Sequence, residues 1–119
     1  MLGDTISLTI GGTARVLSKI NEGNGASEYY LKIATGEFRA KIKHSKDRVG
    51  GNALPRDRHV VTLSEKIYPT PTTFELNRSC SITIVGDYLD DAGLQADLVV
   101  GLEGYVTKAN AVKLIGYEV

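Results

Sequence analysis

The sequence has one cysteine, Cys80, so no intrachain disulfide can staple it. No apolar run approaches the roughly 18 residues of a membrane-spanning helix, which argues against a membrane partner. The N-terminus shows neither the basic nor the apolar region of a signal peptide, so a soluble, non-secreted protein is expected. Signals for catalysis are missing as well. His44 and His59 lie far apart in sequence, and no pair of ligands has metal spacing. No phosphate-loop or dinucleotide glycine pattern occurs, and Gly50-Gly51 reads as loop chemistry. Ser45, Ser64, Ser79 and Ser81 lack the context of a nucleophile elbow. Cys80 falls at an inward strand position, where a lone thiol acts as a small hydrophobe. The acids between residues 87 and 103 belong to one helix surface rather than to a facing pair. The expectation is no enzyme, no metal, no cofactor and no small-molecule substrate.

Net charge is also absent, yet its parts are unevenly placed. Residues 39–66 hold eight cations against three acids, a balance of +5, whereas residues 87–103 hold five acids and no cation. Such asymmetry suits a molecule with one face for a polyanion and another for solvent or neighbours. With 119 residues, 42% of them hydrophobic, the chain has the size and composition of one globular domain spanning 1–119.

What is present is alternation. In EYYLKIATGEFRAKIKH, from Glu28 to His44, two alternating runs flank Thr35-Gly36, the pattern of a β-hairpin with a two-residue turn. That turn pairs Ala34 with Glu37 and sets Ile33, Leu31 and Tyr29 opposite Phe38, Ala40 and Ile42. The opposite side then carries Glu28, Tyr30 and Lys32 across from Lys43, Lys41 and Arg39. Like charges facing each other, as Lys32 and Arg39 would, disfavour an isolated sheet. A polyanion accounts for them: cations spaced two residues apart follow phosphates, and Tyr30 offers a ring for base stacking. The alternative is the ordinary solvated face of a half-buried antiparallel sheet.

Residues 5–20 form a second hairpin, for which a three-residue Gly11-Gly12-Thr13 loop keeps Ile10 opposite Ala14 and Leu8 opposite Val16. Residues 21–25 read as a flexible connection and 45–55 as a mobile polar loop. A strand through RDRHVVTLSEK adds Arg58, Thr62, Ser64 and Lys66 to the basic side. YPTPTT, residues 68–73, is a stiff connector, because Pro69 and Pro71 lack N–H donors. The next strand, about 74–86, points Phe74, Leu76, Cys80, Ile82 and Ile84 inward, and Asn77, Ser79, Ser81 and Thr83 outward. Arg78 falls on the inward set without explanation. Leu94, Leu98, Leu102 and Tyr105 or Val106 then recur at helical spacing, giving a helix over 88–104 behind Asp87, Asp90 and Asp91. Thr107 caps a second helix, KANAVKLI, which Gly116 stops. Val99 and Val100 lie off the apolar stripe, so the first helix is expected to be buried on a second subunit as well.

An N-terminal hairpin (1–20), an antiparallel sheet (28–86) and two C-terminal helices (88–116) make an α+β chain. It resembles the coat proteins of single-stranded RNA bacteriophages, the leviviruses. The resemblance rests on TISLTIGGTARVL, GEFRAKIKHSKDR, RHVVTLSE with its proline-bearing loop, and SITIVGDYLDDA leading into LVVGLEGYVTKANAVKLIGYE. It implies an interlocked homodimer, assembled in the bacterial host cytoplasm into an icosahedral shell around single-stranded RNA and found in the virion. It also implies an RNA stem-loop bound on the inner sheet face, marking the genome and repressing replicase translation. On this sequence that face comprises Tyr30, Lys32, Arg39, Lys41, Lys43, Arg58, Thr62, Ser64, Lys66, Ser81 and Thr83. The dimer contact falls to Leu94, Leu98, Val99, Leu102 and Tyr105. Tyr68, Pro69, Thr70, Pro71 and Thr72 match the loop between dimers, here shorter than is usual in the family. The competing reading is a small nucleic-acid-binding domain that uses the same sheet without forming a shell.

Overall fold

A computed structural model describes residues 3–47, 55–87 and 89–117. The strands are β1 (Thr5–Ile10), β2 (Thr13–Gly23), β3 (Ala26–Ile33), β4 (Gly36–Asp47), β5 (Arg56–Ile67) and β6 (Leu76–Asp87). Helices α1 (Ala92–Tyr105) and α2 (Lys108–Ile115) follow. The six strands form one antiparallel sheet in sequence order, each paired with the next along the chain. The N-terminal hairpin is thus continuous with the rest of the sheet. The Gly50-Gly51 loop lies outside the described residues, and β4 extends through Ser45 and Lys46 to Asp47, into the stretch expected to be loop.

Turn chemistry sets the registers; two differ from expectation, and a tight turn stands where a flexible connection is expected. The first hairpin turns on Gly11-Gly12 alone, with φ of 61° and 81°, the two positive values that a primed two-residue turn requires. Leu8 therefore faces Arg15 and Ile10 faces Thr13. The misplaced cation is accommodated by lying 5.4 Å from the centre of the Phe38 ring. Residues 21–25 are not a flexible connection. Asn24-Gly25, with φ of 53° and 74°, is a second tight turn between β2 and β3, and a bulge around Ile20 corrects the pairing beyond it.

The central hairpin turns on Ala34-Thr35 rather than Thr35-Gly36, which slides the pairing by two residues: Ile33 faces Gly36, Lys32 faces Glu37 and Tyr30 faces Arg39. A slip of two leaves every side chain on its expected face but changes its partner. Lys32 now meets an acid, so the expected repulsion with Arg39 does not arise. Gly36 serves a different purpose from the one its position suggests. It is buried beside β5, opposite Ile67, and a Cβ there would collide with the Lys66 carbonyl oxygen.

The core sits on one face, over β1 to β4. Leu17, Tyr29, Phe38, Ala40 and Ile42 are buried, with Ile6, Leu8, Ile10, Leu31, Ile33 and Leu63 packed around them. The Tyr29 hydroxyl donates to the Gly3 carbonyl (2.7 Å). Toward β6 the same face is uncovered: Leu76 and Ile82 are about half exposed, and Cys80, expected inside, is exposed too. Arg78 shares this face because it answers Glu65 directly across the strands, with Nε 3.2 Å from the carboxylate.

Helix α1 starts at 92 rather than 88. Asp91 caps it, its Oδ1 accepting from the Gly93 and Leu94 amides (2.7 and 3.2 Å). Thr107 caps α2 as expected, accepting from the Asn110 amide (3.2 Å), and Gly116 follows its last turn. Neither helix has a buried residue.

Candidate nucleic-acid interface and assembly surface

Strand alternation and the antiparallel registers place all eleven residues expected at an RNA interface on the face opposite the core. Across β4, β5 and β6 the rows read Lys43–Val60–Thr83, Lys41–Thr62–Ser81 and Arg39–Ser64–Ser79. Arg58 lies one row beyond the first, between Ser45 and Val85, and Lys66 one row beyond the last, between Glu37 and Asn77. Tyr30 and Lys32 reach this face from β3. It is shallowly concave. One depression of about 560 Å³ takes in Asn21, Glu28, Lys41, Lys43 and Thr62, and another of about 440 Å³ takes in Arg39, Lys41, Ser64, Lys66 and Ser79. Lys41 lines both.

The cations are not equivalent. Arg39 is ion-paired to Glu28 and lies 5.1 Å from the Tyr30 ring centre. Lys66 approaches Glu75 at 4.0 Å, and Lys32 stands 5.8 Å from the Tyr68 ring centre. Lys41 and Lys43 are exposed, and no ion pair holds either among the described residues. Ser64 donates to the Arg39 carbonyl at 3.3 Å, which occupies its proton but leaves its lone pairs.

Two members of this face are not apparent from the sequence. Glu37 Oε2 accepts from both Tyr30 (2.7 Å) and Tyr68 (3.1 Å). The Tyr30 hydroxyl is pushed up to about 12, chiefly by that hydrogen bond to the carboxylate. Glu37 is held below its ordinary value by the bond from Tyr30, and Tyr68 is raised by its partial removal from water and then by Glu37. Tyr68 belongs to this cluster by its side chain, although its amide donates to the Thr35 carbonyl beside the connector (2.9 Å). The signal for Glu37 lies in the central turn: a register that sets Glu37 opposite Lys32 also sets it beside Tyr30.

The connector forms a tight tip. Thr70 and Thr73 exchange backbone hydrogen bonds (3.1 and 3.2 Å) and bring their hydroxyls within 2.6 Å, with Pro71-Thr72 at the turn. Pro69, Thr70, Pro71 and Thr72 are exposed there, and Phe74 beside them is 90% exposed.

The residues expected at a dimer contact lie together on α1. Gln95 and Val99 are half-buried, whereas Leu94, Leu98, Leu102 and Tyr105 are largely exposed. Between β6 and α1 runs an apolar cleft of about 700 Å³, lined by Cys80, Ile82, Ile84, Leu98, Leu102 and Val106 among others. The chain exposes 9179 Å², against about 6,300 Å² for a compact monomer of its mass. Its radius of gyration is 17.1 Å, against about 13.5 Å for a compact domain of this length. An apolar surface of this kind is the mark of an interface.

The family model for the coat protein of phage phiCb5 matches residues 3–87, the whole sheet from before β1 to the end of β6. No curated protein matches the sequence.

Proposed function

The chain belongs to the phage phiCb5 coat protein family, and from that premise we propose that this capsid protein dimerises through α1 and β6 and encloses single-stranded RNA against its basic sheet face. The observation that carries the proposal is the uncovered apolar surface. Each chain exposes about 2,900 Å² more surface of all kinds than a compact monomer of this mass would leave, about 5,800 Å² for a pair, at the upper end of what obligate homodimers bury in total. A helix with Leu94, Leu98, Val100 and Leu102 all more than half exposed has no reason to persist alone in water. In a two-fold dimer α1 of each protomer lies on the other, as the resemblance to the single-stranded RNA phages implies, and dimers then build the shell through the Pro69–Thr72 tips.

The basic face supports RNA as the cargo. Lys41 and Lys43, which no ion pair holds among the described residues, line two depressions, and such lysines bind phosphate by counterion release without reading sequence. Thr62, Ser64, Ser81 and Thr83 stand in the next rows, where short hydroxyls reach the edges of unpaired bases. Tyr30 and Tyr68 supply rings. A stem-loop with unpaired bases fits this mixture better than a uniform duplex does.

Salt-titrated RNA binding tests the reading. Lys41→Ala and Lys43→Ala should each weaken binding to random and structured RNA alike and lower the slope of log K against log salt by about one unit. Unchanged affinity and slope in both would leave the face as solvated surface. Arg39→Ala should have a smaller effect on the slope, because Glu28 already neutralises that charge.

A further inference from the structure

On the core side of the sheet, away from the basic face, His44 and His59 stand directly opposite each other on β4 and β5. Their Nδ1 atoms are 2.8 Å apart and their rings meet edge to face at 5.0 Å. Their separation in sequence is not that of a ligand pair, and the strand register supplies the proximity instead. They are the chain's only two histidines. His44 is exposed, and it borders an open cleft with Glu22, Gly25 and Ser27.

We propose that this cross-strand pair is a two-imidazole site for a divalent transition-metal cation. In the metal-free pair one Nδ1 donates its proton to the lone pair of the other; on metal binding that proton passes through solvent to the same ring's Nε2, and the cation takes both Nδ1 lone pairs after small ring rotations. The spacing selects the geometry. With metal–nitrogen bonds of about 2.0–2.1 Å, nitrogens 2.8 Å apart subtend about 85–90° at the metal, whereas a tetrahedral ion would hold them about 3.3 Å apart. A right angle is the cis arrangement of square-planar or octahedral ions, which among imidazole-binding metals means copper(II) or nickel(II). Among the described residues no third imidazole, thiol or carboxylate completes the set. The remaining positions therefore go to water or to a group brought by another molecule. Bound metal would clamp β4 to β5 near the ends of those strands.

Copper(II) added to the purified full-length protein tests this by electron paramagnetic resonance. The expected result is one copper per chain with nitrogen coupling from two imidazoles. His44→Asn and His59→Asn should each lower the affinity tenfold or more and leave one-imidazole coupling, while Cys80→Ser changes neither. The absence of stoichiometric copper, a one-imidazole spectrum in the unaltered protein, or a loss that follows Cys80→Ser instead of the histidine variants would overturn the proposal. The spectrum of the unaltered protein is decisive by itself, so the test survives if a histidine variant fails to fold. RNA binding and particle formation are separate readouts, so this site can fail without the coat function failing.

Discussion

Leu102→Asp is the perturbation for which a free chain and an assembled one predict opposite outcomes. Leu98 and Leu102 are 78% and 60% exposed in the single chain. Full burial of a leucine side chain is worth about 1.5–3 kcal/mol, so covering these fractions adds about 2–4 kcal/mol per protomer. Leu102 supplies about 1–2 kcal/mol of that, and a two-fold dimer counts it twice. Losing the apolar share alone weakens association by tens to hundreds of fold. The aspartate adds an unpaired buried charge costing several kcal/mol more. In a chain that works alone, the same substitution lands on exposed surface and changes stability by about 0.5 kcal/mol or less. Sedimentation and size-exclusion chromatography, with far-ultraviolet circular dichroism as the check on folding, separate the cases. Loss of dimers and particles is expected. Normal particles from Leu102→Asp would refute the burial of α1 under a second copy.

Gly36→Ala should lower the urea midpoint by the equivalent of about 1–3 kcal/mol, because its Cβ is driven into the Lys66 carbonyl; an unchanged midpoint would mean that β4 and β5 are spaced more loosely there. In a tyrosinate absorbance titration Tyr30 should ionise near pH 12. Its value is raised on folding, so its contribution to stability is present below the ordinary pKa of 10.0 and fades as pH climbs toward about 12. Glu37 is lowered, so its contribution holds above the ordinary carboxylate range and fades as pH falls through its folded value. Glu37→Gln should bring Tyr30 back toward ordinary behaviour, and a titration identical to the parent's would break the link between them. Replacing Pro69 and Pro71 by Gly should weaken shells more than it lowers the melting temperature of the dimer, because the loosened tip must be ordered again in each contact. Equal losses would place the prolines in the fold rather than in assembly.

Strand positions are legible in the sequence, and from β3 onward so are the faces, because alternation of period two survives any even slip in register and the central hairpin slips by two; the first hairpin slips by one, which turns Leu17 rather than Val16 to the core. Partners are less legible. Gly36 looks like a turn residue, but its lack of a side chain serves the close approach of β5, and that requirement is visible only once β5 is in place. A two-residue turn at Gly11-Gly12 looks unfavourable because it sets Arg15 against Leu8, and the cost of that pairing is offset by Phe38, two strands away. Asn24-Gly25 is a strong local turn signal that a polar, glycine-rich context obscures. Arg78 has no meaning until Glu65 stands beside it. Cys80 reads as buried because apolar alternation reports which face a residue is on, not whether this chain covers that face itself. His44 and His59 belong to the same class, their meeting being a property of strand register rather than of sequence distance.

The most direct test of a coat protein that encloses RNA is sedimentation velocity of the purified protein recorded at 260 and 280 nm. The expected result is a fast, uniform boundary whose absorbance ratio is that of a nucleic-acid-containing particle and falls when the particle is opened and treated with ribonuclease. A stable, slowly sedimenting species of 12.8 kDa with the absorbance of protein alone would contradict it, because the apolar helix and the basic sheet face would then both be without a partner.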